Sequence, residues 1–411
     1  MVDGYIAILD DVIQLEKKWK LLEDEAPRIK GPITHFNPLL EPPDWYDVER
    51  FKRSQKLARK YFLSLNIAHF IGNILLIHLP DVLVPVIATG NSSTPFRVFM
   101  RILSTVIHIL SWYDEDPFDA TTKTHQSMIT VRRNCHMAVS RLMNNKYPRP
   151  NRYWLSQFDM AMTQWSLIGI VGIRPNQCAF FGTTEKEFEE YFYFWRVIGY
   201  CVGIEDRFNI CFGVEGYEET REFLDICFQR CYKVHLDKQS APVVMGMNLT
   251  EGVFLALEGA APRFLICYES FMKYWYDTLG VRHPIKLDTF ERKLNYAIFI
   301  FVMEYVLRIR LFYIIFSWLF FYLQQRLFGQ IEQVRKHCEQ HYVNIKYQLD
   351  SEYFDYNDQQ QQQQQQRNHM DLDINENPID SIDDESCKKE SISDKKYYEI
   401  DNYFYRPNVK E

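Results

Sequence analysis

Residues 95–110, PFRVFMRILSTVIHIL, carry the pattern that decides the fold. Arg101, Ser104, Thr105 and His108 fall at i, i+3, i+4 and i+7, so on a helix they share one face. Val98, Phe99, Met100, Ile102, Leu103, Val106, Ile107 and Ile109 surround them. A helix from Pro95 suits a proline that sets its first turn. Downstream, TVRRNCHMAVSRLM repeats the arrangement, with Arg133, His136 and Ser140 at i, i+3 and i+7 inside a helix over about 121–143. The connection between the two helices is short enough for antiparallel packing.

Working outward, the same helical spacing recurs over 156–172, 184–202 and 216–234, and no strand-length run alternates with period two. Asp44 is a candidate N-cap for a helix starting at Trp45, with Asp47 in its first turn. Residues 61–79 form an apolar stretch broken by Asn66, His69, Asn73 and His78, which suits a buried helix better than a membrane span. Turns are expected at 89–93 and 114–117. The expected architecture is all-α: a single large helical domain, a membrane-associated C-terminal segment and a disordered tail.

Four regions follow. Residues 1–37 hold an amphipathic helix with Ile8, Ile13, Leu15 and Trp19, then a proline-punctuated entry segment, with no secretory signal pattern. Residues 38–280 are the helical body. Residues 281–350 include 295–328, whose apolar length suits a membrane-embedded or interfacial element better than a soluble core helix. Glu304, Arg308 and Arg310 oppose insertion, but Glu304 and Arg308 stand at i, i+4 and could pair. Residues 351–411, with the run Gln359–Gln366, lack the apolar surface needed to order a chain.

The net charge of -7 over 411 residues belongs to that last region, which carries 15 acids and 7 bases. The remainder is nearly neutral. A pI near 5.9 argues against nucleic acid as a partner. Nine cysteines without a CxxC pair make neither a disulfide scaffold nor a zinc site, and are expected reduced and mostly buried. Phosphate-cradling glycine loops, GxSxG, HExxH and dinucleotide fingerprints are all missing.

The chemistry therefore rests on the two polar helix faces, and two readings are open. In one, Arg101 and Arg133 pair with core carboxylates and His136 is an ordinary hydrogen-bonded core residue. In the other, the faces enclose a haem: a neutral imidazole can ligate iron, and propionates would satisfy buried arginines.

The order DWYDVERF, RILST, VRRNCH, WLSQFDMAMTQWSLIGI and YFYFWRVIGYCVGIEDRFN resembles one family over roughly Pro38 to Trp275. It is the catalytic domain shared by latex-clearing rubber oxygenases and the fungal endoplasmic-reticulum-bound oxygenase of the mycophenolic-acid pathway. The resemblance implies an all-α fold, haem b as cofactor, and cleavage of isoprenoid double bonds with dioxygen. It implies His136 as proximal iron ligand, with Arg133 beside it, and Arg101 and Thr105 as the R-x-x-x-T pair of the pocket. Rubber oxygenases carry a lysine where this chain has Ser104, and an upstream acid where it has Pro85, with Asp81 the nearest carboxylate. Ser140 stands where relatives can carry an arginine. Trp195, Arg196, Gly199, Gly203 and Asp206, and likewise Asp159, Thr163 and Gln164, could be pocket or packing residues. His69 and His78 are expected as satisfied core histidines. A membrane-associated haem oxygenase acting on an apolar or isoprenoid substrate is the expected function. The alternative is an interaction protein or haem sensor that keeps the fold without turnover.

Overall fold

A computed structural model describes residues 2–32, 41–211, 216–261 and 266–348. The tail expected at 351–411 lies outside the described residues. The described chain is helical throughout, with one isolated bridge between Lys30 and Ser156 and no strand. Its helices are α1 (Val2–Asp24), α2 (Val48–Lys60), α3 (Phe62–Leu76), α4 (Pro80–Ala88), α5 (Pro95–Trp112), α6 (Lys123–Ile129) and α7 (Ala138–Lys146). They continue with α8 (Gln157–Ile173), α9 (Glu185–Val202), α10 (Tyr217–Cys227), α11 (Val234–Asp237) and α12 (Ala241–Leu257). The last are α13 (Tyr268–Leu279), α14 (Phe290–Glu304), α15 (Arg310–Phe328) and α16 (Ile331–His341).

The core forms around α3 and α8, whose backbones nearly touch. A Cβ added at Gly72 would lie 1.6 Å from the Ser166 carbonyl oxygen, so only glycine permits this crossing. Aromatic side chains fill the flanks. Phe51 of α2 stacks on Phe194 of α9 at 5.0 Å, and Trp165 of α8 donates to the Leu224 carbonyl at 2.8 Å while its ring meets Tyr232. α1 closes one side with Leu15, Trp19 and Leu22 buried, whereas Ile13, expected on the apolar face, is exposed.

Helix starts follow capping chemistry, with one shift from expectation. The cap of α2 is Asp47, whose carboxylate accepts from the amides of Glu49 and Arg50 at 2.9 Å each. Asp44 and Trp45 remain in a turn in which the Tyr46 amide donates to the Pro43 carbonyl. Trp45 is needed outside the helix: its indole donates to Asp206 and its ring stacks under Arg196. The apolar stretch 61–79 is divided, since α3 ends at Leu76 and α4 leaves at 88° from Pro80. α3 is buried along nearly its whole length.

The stretch 295–328 is also divided. α14 stops at Glu304, a short tight turn covers Val306–Arg308, and α15 restarts at Arg310. The break removes the i, i+4 relation of Glu304 and Arg308, and they form no ion pair; Arg308 instead lies over the Phe181 ring. α15 is, among the described residues, the one unbroken helix long and apolar enough to cross a membrane.

Candidate functional site

α5 is enclosed on all sides but one. Val98 to Met100, Ile102, Leu103, Ile107, Ile109 and Leu110 are buried, while Arg101, Ser104, Thr105 and His108 keep partial exposure. The polar stripe seen in the sequence is therefore the one side of the helix that faces open space.

Against it runs the helix from Lys123 to Lys146, whose middle departs from α-geometry. Thr130–Met137 is a π-helix, with wider turns and i→i+5 bonding, continuous with α6 and α7. Such segments recur at functional sites because they re-aim side chains without ending the helix. The α-helical register expected for Arg133, His136 and Ser140 does not hold through it. Ser140 is buried and donates to the Trp154 carbonyl, and Arg132 is the buried arginine of this turn while Arg133 is exposed.

His136 lies in this widened turn. The protein closes around it and Cys135 as around core residues: burial raises the Cys135 thiol pKa and lowers His136 to about 4, with Arg101 adding to the latter. By surface area, however, Cys135 is exposed and His136 half-buried. Neither imidazole nitrogen has a hydrogen-bond partner among the described residues, and Nδ1 is fully enclosed. Trp195 Nε1 and Trp275 Nε1 are enclosed without a partner as well, so what sets His136 apart is the nearby guanidinium of Arg101.

Arg101 is close enough to act electrostatically on both Cys135 and His136. Its own contacts are weak: Nη1 reaches the Val86 carbonyl and Thr89 Oγ1 at 3.5 Å each, the outer limit of a hydrogen bond. No carboxylate stands within 4.0 Å of it among the described residues. Thr105 donates back to the Arg101 carbonyl at 3.1 Å, leaving its oxygen lone pairs toward the open side. His108 Nδ1 shares a 2.7 Å bond with Ser127 Oγ, which also accepts the Trp112 indole N–H, and burial lowers the His108 pKa. At neutral pH the stripe thus presents neutral imidazoles and one guanidinium with no acid beside it.

The other sequence candidates divide differently. Asp81 is a fixed anion held by Arg149 and Arg152, with Arg152 also 3.1 Å from Asp159. Burial resists its ionisation, but the two guanidiniums prevail and hold its carboxyl well below the usual range. Asp159 doubles as the third residue of a capping box with Ser156, so its role is architectural. Gln164 bridges the Trp195 carbonyl and Asn209, Gly199 makes room for it, and Gly203 caps α9 with φ of 97°. His78 is doubly bonded, to the Ile74 carbonyl and Tyr276; His69 bonds Tyr113, but its Nδ1 has no partner.

Comparison with known proteins found no matching family model, curated protein or solved structure. The function must therefore be argued from this chain's own residues.

Three features escaped the sequence reading. The π-helix has no compositional mark. Cys135 sits one residue from the histidine in that widened turn and is exposed. Arg149 and Arg152 had a visible signal, two arginines just before the Ser156–Asp159 capping box, but their partner Asp81 is nearly seventy residues away.

Proposed function

We propose that this chain is a membrane-associated haem b protein, an oxidoreductase of the oxygenase type that uses dioxygen on an apolar, isoprenoid-like substrate. The observation that carries the reading is His136: a half-buried imidazole with no partner on either nitrogen among the described residues, its Nδ1 enclosed, near an arginine without an acid.

These residues fit haem. A neutral imidazole is the ligating form, and the low pKa of His136 keeps it neutral throughout the physiological range. Arg101 would bind a carboxylate through charge-assisted bonds, which haem propionates supply. Thr105 and Arg133 complete the set that the resemblance to rubber oxygenases assigns to the pocket. Bound there, haem b would supply the iron redox chemistry that activates dioxygen. The chain's part would be to ligate through His136 and to fix orientation through Arg101.

The test is the absorption spectrum and iron content of the purified protein beside His136→Ala. A Soret band in the wild type that His136→Ala loses supports the reading. Wild-type protein still free of iron after haem supplementation sinks it.

One observation favours a second reading, a haem-binding sensor or interaction protein without turnover. Asp81, the acid nearest in sequence to Pro85, is held by two arginines and is a poor proton acceptor, and Ser104 offers no cation to the distal side. Oxygen consumption by haem-loaded protein with isoprenoid probes separates the two.

A further inference from the structure

α14 and α15 each carry an apolar stripe that nothing in the described chain covers. On α14 and the turn after it, Phe290, Leu294, Ile298, Phe301 and Tyr305 follow one another at three- or four-residue steps and are 47–80% exposed. On α15, Leu311, Ile315, Trp318 and Tyr322 do the same at 47–67%, with Ile314, Leu319 and Leu323 beside them. Single exposed apolar residues need no explanation, but continuous stripes on consecutive helices mark a surface that works in contact with something apolar. The charges of α15 have one sign, whereas α14 carries Glu291 and Glu304 as well as Arg292 and Lys293. α15 contains no acid, Arg310 and Arg326 stand near its ends, and Arg308 precedes it. All three are exposed, and none joins an ion pair among the described residues.

We propose that the outer faces of α14 and α15 dock in the plane of a lipid bilayer, entering one leaflet of an anionic membrane without crossing it. The proposal deepens the membrane association suggested above and does not depend on haem. Apolar and aromatic side chains would enter to about 5–10 Å, and the arginines would meet lipid phosphates.

Crossing is opposed by the inner face of α15, which is fastened to the body. Tyr313 Oη bonds Ser64 Oγ at 3.0 Å, and Gln324 donates to Asn66 at 3.3 Å. Between these points Phe320 and Phe321 pack on Phe62. Two residues before Phe62 stands Lys60, paired with Glu187 and 41% exposed. A spanning α15 would carry that charged pair to hydrocarbon depth alongside its middle, which is costly. A second copy of the chain fits the face less well. Two-fold self-pairing of α15 would bring arginine to arginine with no acid on the helix to offset it, whereas lipid phosphates neutralise them.

Trp318 allows the test, since it is the one exposed tryptophan of the eight. Full-length protein would be mixed with phosphatidylcholine vesicles, with and without phosphatidylserine, and with lipids brominated near the glycerol end or near the methyl end. The expected result is vesicle binding, with quenching of the fluorescence that Trp318→Phe removes, stronger for bromine near the glycerol end. Leu311→Asp with Trp318→Asp should weaken binding about tenfold or more, at positions 64% and 67% exposed, with circular dichroism confirming that the fold is kept. Arg310→Gln with Arg326→Gln, or omission of phosphatidylserine, should weaken it about 10- to 30-fold. Stronger quenching from the methyl end would overturn the in-plane mode while leaving membrane association standing. Absence of vesicle binding overturns both, and a dimer abolished by Trp318→Asp would then assign the face to a second copy.

Discussion

Arg101 has weak contacts for its setting. A guanidinium on an otherwise buried helix normally has a carboxylate or several good acceptors, because an unpaired interior charge is costly. Arg101 has two 3.5 Å contacts, partial exposure and no acid beside it, which leaves its guanidinium able to take up an anion. If that anion is a haem carboxylate, Arg101→Gln should weaken haem binding by about 1.5–3 kcal/mol, roughly ten- to a hundredfold, without unfolding the protein. Absorbance titration of the apo-protein with haem measures this; an unchanged dissociation constant would detach Arg101 from the cofactor. At this scale the sequence was legible where α-helical spacing holds. The stripe Arg101, Ser104, Thr105 and His108 is the accessible side of α5. It was illegible where the helix widens, because bonding that skips a residue rotates the later side chains: Arg132 goes inward and Cys135 is exposed.

Among the elements, α3 and α8 set the geometry on which the others pack. Their contact at Gly72 and Ser166 leaves no room for a methyl group, and the obstacle is backbone rather than a side chain that can swing aside. Gly72→Ala should therefore cost about 3 kcal/mol or more, despite alanine's better helix propensity of about 1 kcal/mol. Denaturant unfolding gives the value directly, and a neutral or stabilised variant would show that the helices can separate cheaply. The helical content and most boundaries could be read from the sequence because caps and apolar periodicity are local: Pro95, the Ser156 box and the Thr184 box all start helices where expected. The breaks could not. α3 to α4 bends because Pro80 starts a new helix, and α14 to α15 breaks where Leu307 turns into the core. Hydropathy runs unbroken through both places, so composition alone reads each as a single segment.

Over the whole molecule, buried histidines make stability depend on pH. His69 and His78 are 2% and 0% exposed, and burial lowers their pKa to about 3 and about 4; His136 is likewise lowered to about 4. The His78 ring is fixed as well as buried: Nδ1–H donates to the Ile74 carbonyl, so Nε2 is the acceptor for the Tyr276 hydroxyl. In the unfolded chain all three titrate near 6.5. As pH falls below that value the unfolded state takes up protons that the folded state refuses. Stability from these groups is thus complete above about pH 6.5 and is lost toward pH 4. Asp114 acts in the opposite sense. Burial raises its carboxyl pKa to about 6, so the folded state binds a proton between there and the usual carboxylate range, though partial exposure limits the effect. His108 and His235, also lowered by burial, act in the same sense as these imidazoles and Glu251 in the sense of Asp114, so the histidines outnumber the carboxyls and stability falls as the pH is lowered, by roughly 1.4 kcal/mol per pH unit for each net proton. Asp81, with its carboxyl held below the usual range, adds its own loss only at still lower pH. Urea midpoints of the haem-free protein should hardly change from pH 8 to 7 and fall steeply between about 5.5 and 4.5. In His78→Gln the slope should shrink by about one proton, because the titrating group is gone whatever the variant's absolute stability. A midpoint that stays flat to pH 5 would mean that water reaches these imidazoles, and the closed core between α3, α5 and α13 would have to be redrawn.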